Sequence, residues 1–141
     1  MSALPAVHCS LLWHGNCNSI SMATAVDEVM NKDLKTLATF ISIYCTHQHP
    51  DTEKQLVTMP QLDITAIAGK EMVLCGECRK LLLHAFVKRS NCPLDPKPMC
   101  KHCPVHCYAP DYRKKIQEVM RFSGKKLVTS GRLDHLVHLL F

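Results

Sequence analysis

The chain has 141 residues, 47% hydrophobic but only 6% aromatic, with a formal net charge of +5. That length fits one small domain, or a smaller one with a tail; the scarce aromatics call for an aliphatic core, and no run approaches the roughly 18 apolar residues of a membrane span. Nine cysteines are an odd number, so disulfides cannot use them all, and in a reducing compartment clustered pairs are metal ligands more often than bridges. Ligating cysteines must be thiolates. Six of them with one divalent ion would bring +5 to about +1, which weakens any nucleic-acid argument made from charge alone.

Residues 1–26 read as a disordered or over-called N-terminal extension. They lack a sustained period, and Met22 and Met30 are plausible alternative starts. The N-terminus lacks the charged region of a signal peptide, so the expected location is cytoplasmic. His8, Cys9, His14 and Cys17 carry little weight as ligands here, because no core anchors them. Residues 27–141 read as a cysteine-rich helical metal-binding domain.

From Asp27, Met30, Leu34, Leu37, Ala38, Ile41, Tyr44 and Cys45 recur at three- and four-residue steps, one face of a helix that Pro50 ends. Its last turn holds Cys45, His47 and His49; Cys45 and His49 are four apart and share a face. A polar connection follows over 50–65, and Leu62–Ala68 is either a short strand or a helical turn. A second helix is expected from about Lys70 to Ser90, with Leu74, Cys78, Leu81, Leu82, Ala85 and Phe86 inward and Lys80, Lys88 and Arg89 on the polar side. It contains the pair Cys75-Gly-Glu-Cys78, and Gly76 points to a metal knuckle. Between Asn91 and Tyr108 stand Cys92, Cys100, Cys103 and Cys107 among four prolines, a loop unsuited to a helix interior or a central strand. A third helix is expected over Tyr112–Phe122, with Asp111 as N-cap and Gly124 as stop. A short fourth helix is expected over Gly131–Leu140, carrying His135 and His138. The fold class is therefore mainly α: three to four helices around a Pro/Cys-rich metal-binding loop.

Two C-x2-C pairs, with further cysteines and a Cys/His helix end, are a strong signal for zinc or iron–sulfur. The candidate ligands are Cys45, His49, Cys75, Cys78, Cys92, Cys100, Cys103 and Cys107, with His47 the alternative to His49. If the first two helices run antiparallel, Cys45 and a histidine lie beside Cys75 and Cys78. Cys92 lies about 20 Å off, at the far end of the second helix. That geometry favours two sites, although the loop is long enough to fold back onto one. Histidine among the donors favours zinc, and the all-thiolate run suits a [4Fe–4S] cluster; the choice stays open. Metal removal is expected to cost most of the fold.

The strings Tyr44-Cys-Thr-His-Gln-His49, Leu74-Cys-Gly-Glu-Cys78, Asn91-Cys-Pro93, Lys97-Pro-Met-Cys-Lys-His-Cys-Pro-Val-His-Cys-Tyr108 and Arg113–Gly124 resemble the nitrous oxide-stimulated promoter family, the YgbA-like proteins. The resemblance covers about residues 30–140, with Lys125 where proline is expected and Leu94-Asp95 in place of Phe-Gly. It implies a bacterial cytosolic protein whose expression responds to nitric oxide, and says nothing of DNA binding. The leading reading is a metal-thiolate protein of the nitrosative-stress response, sensing nitric oxide or restoring iron homeostasis. The alternative is a zinc-stabilised adaptor for nucleic acid or a stress-response protein, using Lys88, Arg89, Lys101, Arg113, Lys114, Lys115, Arg121, Lys125 and Lys126. No nucleophile–base–acid arrangement is legible, so an enzyme is the least favoured class.

Overall fold

The computed structural model describes residues 18–94, 98 and 100–132. It is mainly helical, built on the long helix α1 (Asn18–Gln48). The expected face is there: Leu34, Leu37, Ala38, Ile41, Tyr44 and Cys45 are buried, and Met30 packs against them in part. Phe40 is fully buried as well. It widens the stripe because α1 is covered on two sides, by α3 (Gly76–Ser90) and by α4 (Pro110–Thr129). The helix begins at Asn18, ahead of the start read at Asp27, so that boundary falls inside α1. It ends two residues before Pro50, and the Lys54 ammonium donates to the carbonyls of His49 and Pro50, each at 3.1 Å. A cation there answers both the unpaired carbonyls and the negative end of the helix dipole.

The connection after Pro50 has more structure than its polarity implied. Strands β1 (Gln55–Leu56) and β2 (Val73–Leu74) pair antiparallel, Gln55 opposite Leu74 and Leu56 opposite Val73, and the Val57 amide extends the ladder to the Met72 carbonyl at 2.8 Å. Between them lies the one-turn helix α2 (Ile64–Ala68), which resolves the strand-or-helix ambiguity of 62–68. Its N-cap Asp63 accepts the Ala66 amide at 3.0 Å. Val57, Ile64, Met72 and Leu74 are buried beneath this flap. The ladder also corrects the expected start of the second helix at Lys70. Residues 73–74 spend their backbone bonds on β1, so α3 begins only at Gly76.

Leu81, Leu82, Ala85 and Phe86 of α3 pack on α1, as their spacing implied, and Ile116, Val119 and Leu127 of α4 complete the core. Phe40, Phe86 and Leu82 are at 0% exposure; a side chain buried that far contributes about 2–3 kcal/mol. Helix α4 starts earlier and ends later than expected. Ala109 is its N-cap and Pro110 its first residue, so Asp111 sits in the first turn instead of capping. Gly124 does not stop it. Ser123 and Gly124 are buried, and the Ser123 hydroxyl donates to the Phe40 carbonyl at 2.6 Å, where small side chains let α4 approach α1. The stop falls at Thr129, followed by Gly131 at φ 86°, a conformation glycine adopts freely. The expected fourth helix, with His135 and His138, lies outside the described residues, as do His8, Cys9, His14 and Cys17. Among the described residues, no helix is long and apolar enough to cross a membrane.

Candidate metal centre

Of the eight candidate ligands, the fold brings Cys45, His49, Cys75 and Cys78 into one group whose donor atoms all lie within 4.8 Å of one another. Three elements place them. The last turn of α1 presents Cys45 and His49 on one face, with the His49 amide bonded to the Cys45 carbonyl at 3.0 Å. Strand β2 delivers Cys75, which is the N-cap of α3 at φ −64° and ψ 164°. Cys78 follows one turn in. His49 Nδ1 is 3.3 Å from Cys75 Sγ and 3.4 Å from Cys78 Sγ. His47 instead stands exposed, near the Phe122 ring at 6.0 Å, so the helix phase selects His49.

The donor spacing fits one ion. With Zn–S near 2.3 Å and Zn–N near 2.0–2.1 Å, a tetrahedron separates a sulfur and a nitrogen donor by roughly 3.5 Å. The three cysteines are 1–2% exposed and His49 partly so. Burial pushes the Cys45 and Cys78 thiols above the ordinary thiol value, because a lone thiolate in an apolar setting has no counter-charge. Burial acts the same way on Cys75, but the amides of Cys78 and Glu77 and the thiols of Cys78 and Cys45 outweigh it, and Cys75 falls below that value. No capping bond of standard geometry forms at Cys75. The first amides of α3 still act on its sulfur, which is why a C-x2-C pair belongs at a helix start. The Cys75 amide in turn donates to Cys45 Sγ at 3.4 Å. A cation between these sulfurs would supply the missing counter-charge, and the donor chemistry is that of a Cys3His metal site.

Gly76 is not sterically required. A Cβ there would meet nothing within 4 Å, and its φ is ordinary. The knuckle comes from the cap geometry at Cys75.

Tyr44, missed as a contributor, braces the site. Its ring meets the His49 ring edge-on at 5.7 Å and the Phe122 ring at 5.6 Å. Its hydroxyl donates to Glu118 and accepts from Lys115 Nζ at 3.0 Å. The bond from Tyr44, with the charge and hydrogen bond of Lys115, holds the Glu118 carboxyl below its usual range.

Among the described residues, the other four candidates are not part of this group. Cys92 and Cys103 are half-buried, and Cys100 and Cys107 are exposed. Among the described residues they do not close into a second group like the first. The expected basic surface is also thinner than its sequence. Arg89 is 5% exposed and Lys115 is engaged by Tyr44, leaving Arg113, Lys114, Arg121, Lys125 and Lys126 exposed along α4. Arg89, expected on the polar side of its helix, lies seven residues after Leu82 and three after Phe86, in the phase of the apolar stripe.

The family model described as nitrous oxide-stimulated promoter matches residues 28–141. An uncharacterised protein, YgbA of Escherichia coli strain K12, is 33% identical over 61 residues, 43% of this chain. The matched stretch is 52% of that relative, about half its length. No solved structure matches.

Proposed function

The chain belongs to the nitrous oxide-stimulated promoter family, and from that premise we propose that it is a metal-thiolate protein of the nitrosative-stress response, in which Cys45, His49, Cys75 and Cys78 hold one structural zinc ion. The observation that carries the reading is the closed, buried donor set. Histidine beside thiolates favours zinc. Each thiolate of a four-iron cluster sits on its own iron, so its donors stand farther apart than donors meeting on one ion. Four protein donors leave no open position, which is the pattern of structural zinc and not of catalytic zinc. When bound, the ion would supply the positive charge that lets buried thiolates stay ionised. It would tie the end of α1 to the start of α3 through the β2 strand.

This suits a protein whose family is described by a nitrous oxide-stimulated promoter. A chain made under nitrosative conditions, whether to sense nitric oxide or to help restore iron homeostasis, needs a framework such agents do not dismantle. Three sulfurs at 1–2% exposure are shielded by the core around them. Metal analysis of the purified chain should give one zinc per chain that survives dialysis. Cys78→Ser should lose it, because three donors bind zinc far more weakly than four, while Cys100→Ser should retain it. A Cys78→Ser chain with full zinc would end the reading.

A further inference from the structure

Helix α4 supplies no donor to the Cys3His group, yet it reaches the histidine through one side chain. The His49 main chain is fixed at both ends. Its amide bonds the Cys45 carbonyl at 3.0 Å, and its carbonyl accepts from Lys54 Nζ at 3.1 Å. The imidazole is left to turn about its own side-chain bonds, and a turn carries Nδ1 away from the Cys75 and Cys78 sulfurs, now at 3.3 and 3.4 Å. Ligating imidazoles are ordinarily fixed against this by groups outside the donor set. Here the neighbour is the Tyr44 ring, edge-on to His49 at 5.7 Å with 84° between the ring planes. It acts as a wall, because its hydroxyl is turned to α4, where it donates to Glu118 and accepts from Lys115 Nζ at 3.0 Å. Lys115 Nζ also stands over the Tyr44 ring, 5.0 Å from its centroid, and 3.5 Å from Glu118 Oε2. The Phe122 ring, one turn further along α4, packs on Tyr44 at 5.6 Å.

We propose that Glu118 is a positioning residue of the metal centre, acting on His49 through the Tyr44 ring, with Lys115 holding carboxylate and hydroxyl together. The inference rests on the Cys3His reading and adds regulation to it: how firmly α4 lies on α1 sets how tightly the ion is held. Linkage makes the effect mutual, so a bound ion also favours the docked α4. The plain alternative for a carboxylate whose side chain is 57% exposed is a surface ion pair with Lys115, three residues before it, which contributes little and leaves the ion indifferent. The direction of the Glu118 side chain favours the positioning role. It reaches in from the surface to the hydroxyl of a tyrosine that is 3% exposed, and the ring bearing that hydroxyl is the one that meets His49. Tyr44 also precedes the ligand Cys45, so the same contact holds the turn of α1 from which two of the four donors project.

The test measures two things on the full chain: zinc affinity by chelator competition, and the ligand-field absorption of cobalt(II) in place of zinc. Glu118→Ala removes the acceptor and Tyr44→Phe the donor, while both keep a ring facing His49. Each should weaken zinc about tenfold, the lower end for a group outside the donor set, and shift the cobalt bands. Because both act through one bond, the double variant should bind no more weakly than either single variant. Glu118→Gln keeps an oxygen that accepts from Tyr44 and should return both readouts to parent values. A side chain that only stabilised the fold would lower the melting temperature and leave the cobalt bands in place. The Glu118 variants change an exposed side chain, so their spectra decide even where Tyr44→Phe folds poorly. Parent affinity with unshifted bands in Glu118→Ala overturns the proposal. So does an additive loss in the double variant, or a Glu118→Gln chain no better than Glu118→Ala. All three leave the zinc reading standing. A parent chain that binds neither zinc nor cobalt sinks the zinc reading, and the proposal with it.

Discussion

A guanidinium that is 5% exposed needs its charge answered from every side. Arg89 has the Asp33 carboxylate, the Pro98 carbonyl and the Cys100 sulfur. Removing one partner of such a pair leaves a buried charge, usually at a cost of 3–5 kcal/mol. Because Asp33 is 38% exposed, solvent screening takes the cost below that range, and Asp33→Ala should lower unfolding stability by about 2 kcal/mol. Urea denaturation monitored by circular dichroism checks this; a loss under about 0.5 kcal/mol would mean the pair is only a surface contact. The pairing is hidden in the sequence because a charged residue stands in the phase of the apolar stripe. Cys45, Cys75 and Cys78, by contrast, are legible from spacing as neighbours, with the histidine open between His47 and His49. Four residues on a helix and C-x2-C at a helix start each fix a pair of donors on one side, and antiparallel packing brings the pairs together. What spacing does not carry is the loop, where Arg89 meets the Pro98 carbonyl and Cys100.

At the scale of elements, the apolar faces of α1, α3 and α4 could be read because each repeats over at least three turns. The ends could not. A two-residue ladder displaced the start of α3, and a glycine that looked like a stop lies inside α4 because α1 packs against it. At these two positions tertiary neighbours override local preference. The α3–α4 contact offers its own test. His84 stacks on Tyr112 at 4.1 Å and meets Tyr108 edge-on at 5.2 Å, and its Nε2 is buried without a hydrogen-bond partner among the described residues. Burial, then the charge of Lys88, holds its pKa below the ordinary histidine value. The unfolded chain therefore binds a proton at His84 that the folded chain refuses. Stability must fall as pH drops below about 6.5 toward the folded value. His84→Phe keeps the ring and removes the titration. Its stability should change less between pH 7 and pH 5.5 than that of the parent, measured as urea midpoints; identical slopes would rule His84 out.

For the molecule as a whole, the question is whether the core stands without an ion. Burial of Phe40, Phe86 and their neighbours is largely cancelled by chain entropy, leaving a net stability on the order of 5–15 kcal/mol for a domain of this kind. Zinc binding to a structural site is of similar size, about 10–16 kcal/mol, so its loss removes most of the margin. The sequence expectation that metal removal costs most of the fold has this arithmetic behind it. The same burial contrast also sorts the thiols by reaction rate. Cys100 and Cys107 face solvent, while Cys45, Cys75 and Cys78 are sealed at 1–2% exposure. A maleimide reagent should alkylate Cys100 and Cys107 within the first mixing period. Peptide mass spectrometry should find Cys45, Cys75 and Cys78 unmodified until a chelator is added, and then modified together. Early, independent labelling of Cys75 would mean that the three do not open as one unit. Two kinetic classes of thiol in one short chain would let an alkylation footprint taken from intact cells report metal occupancy of the Cys3His group directly.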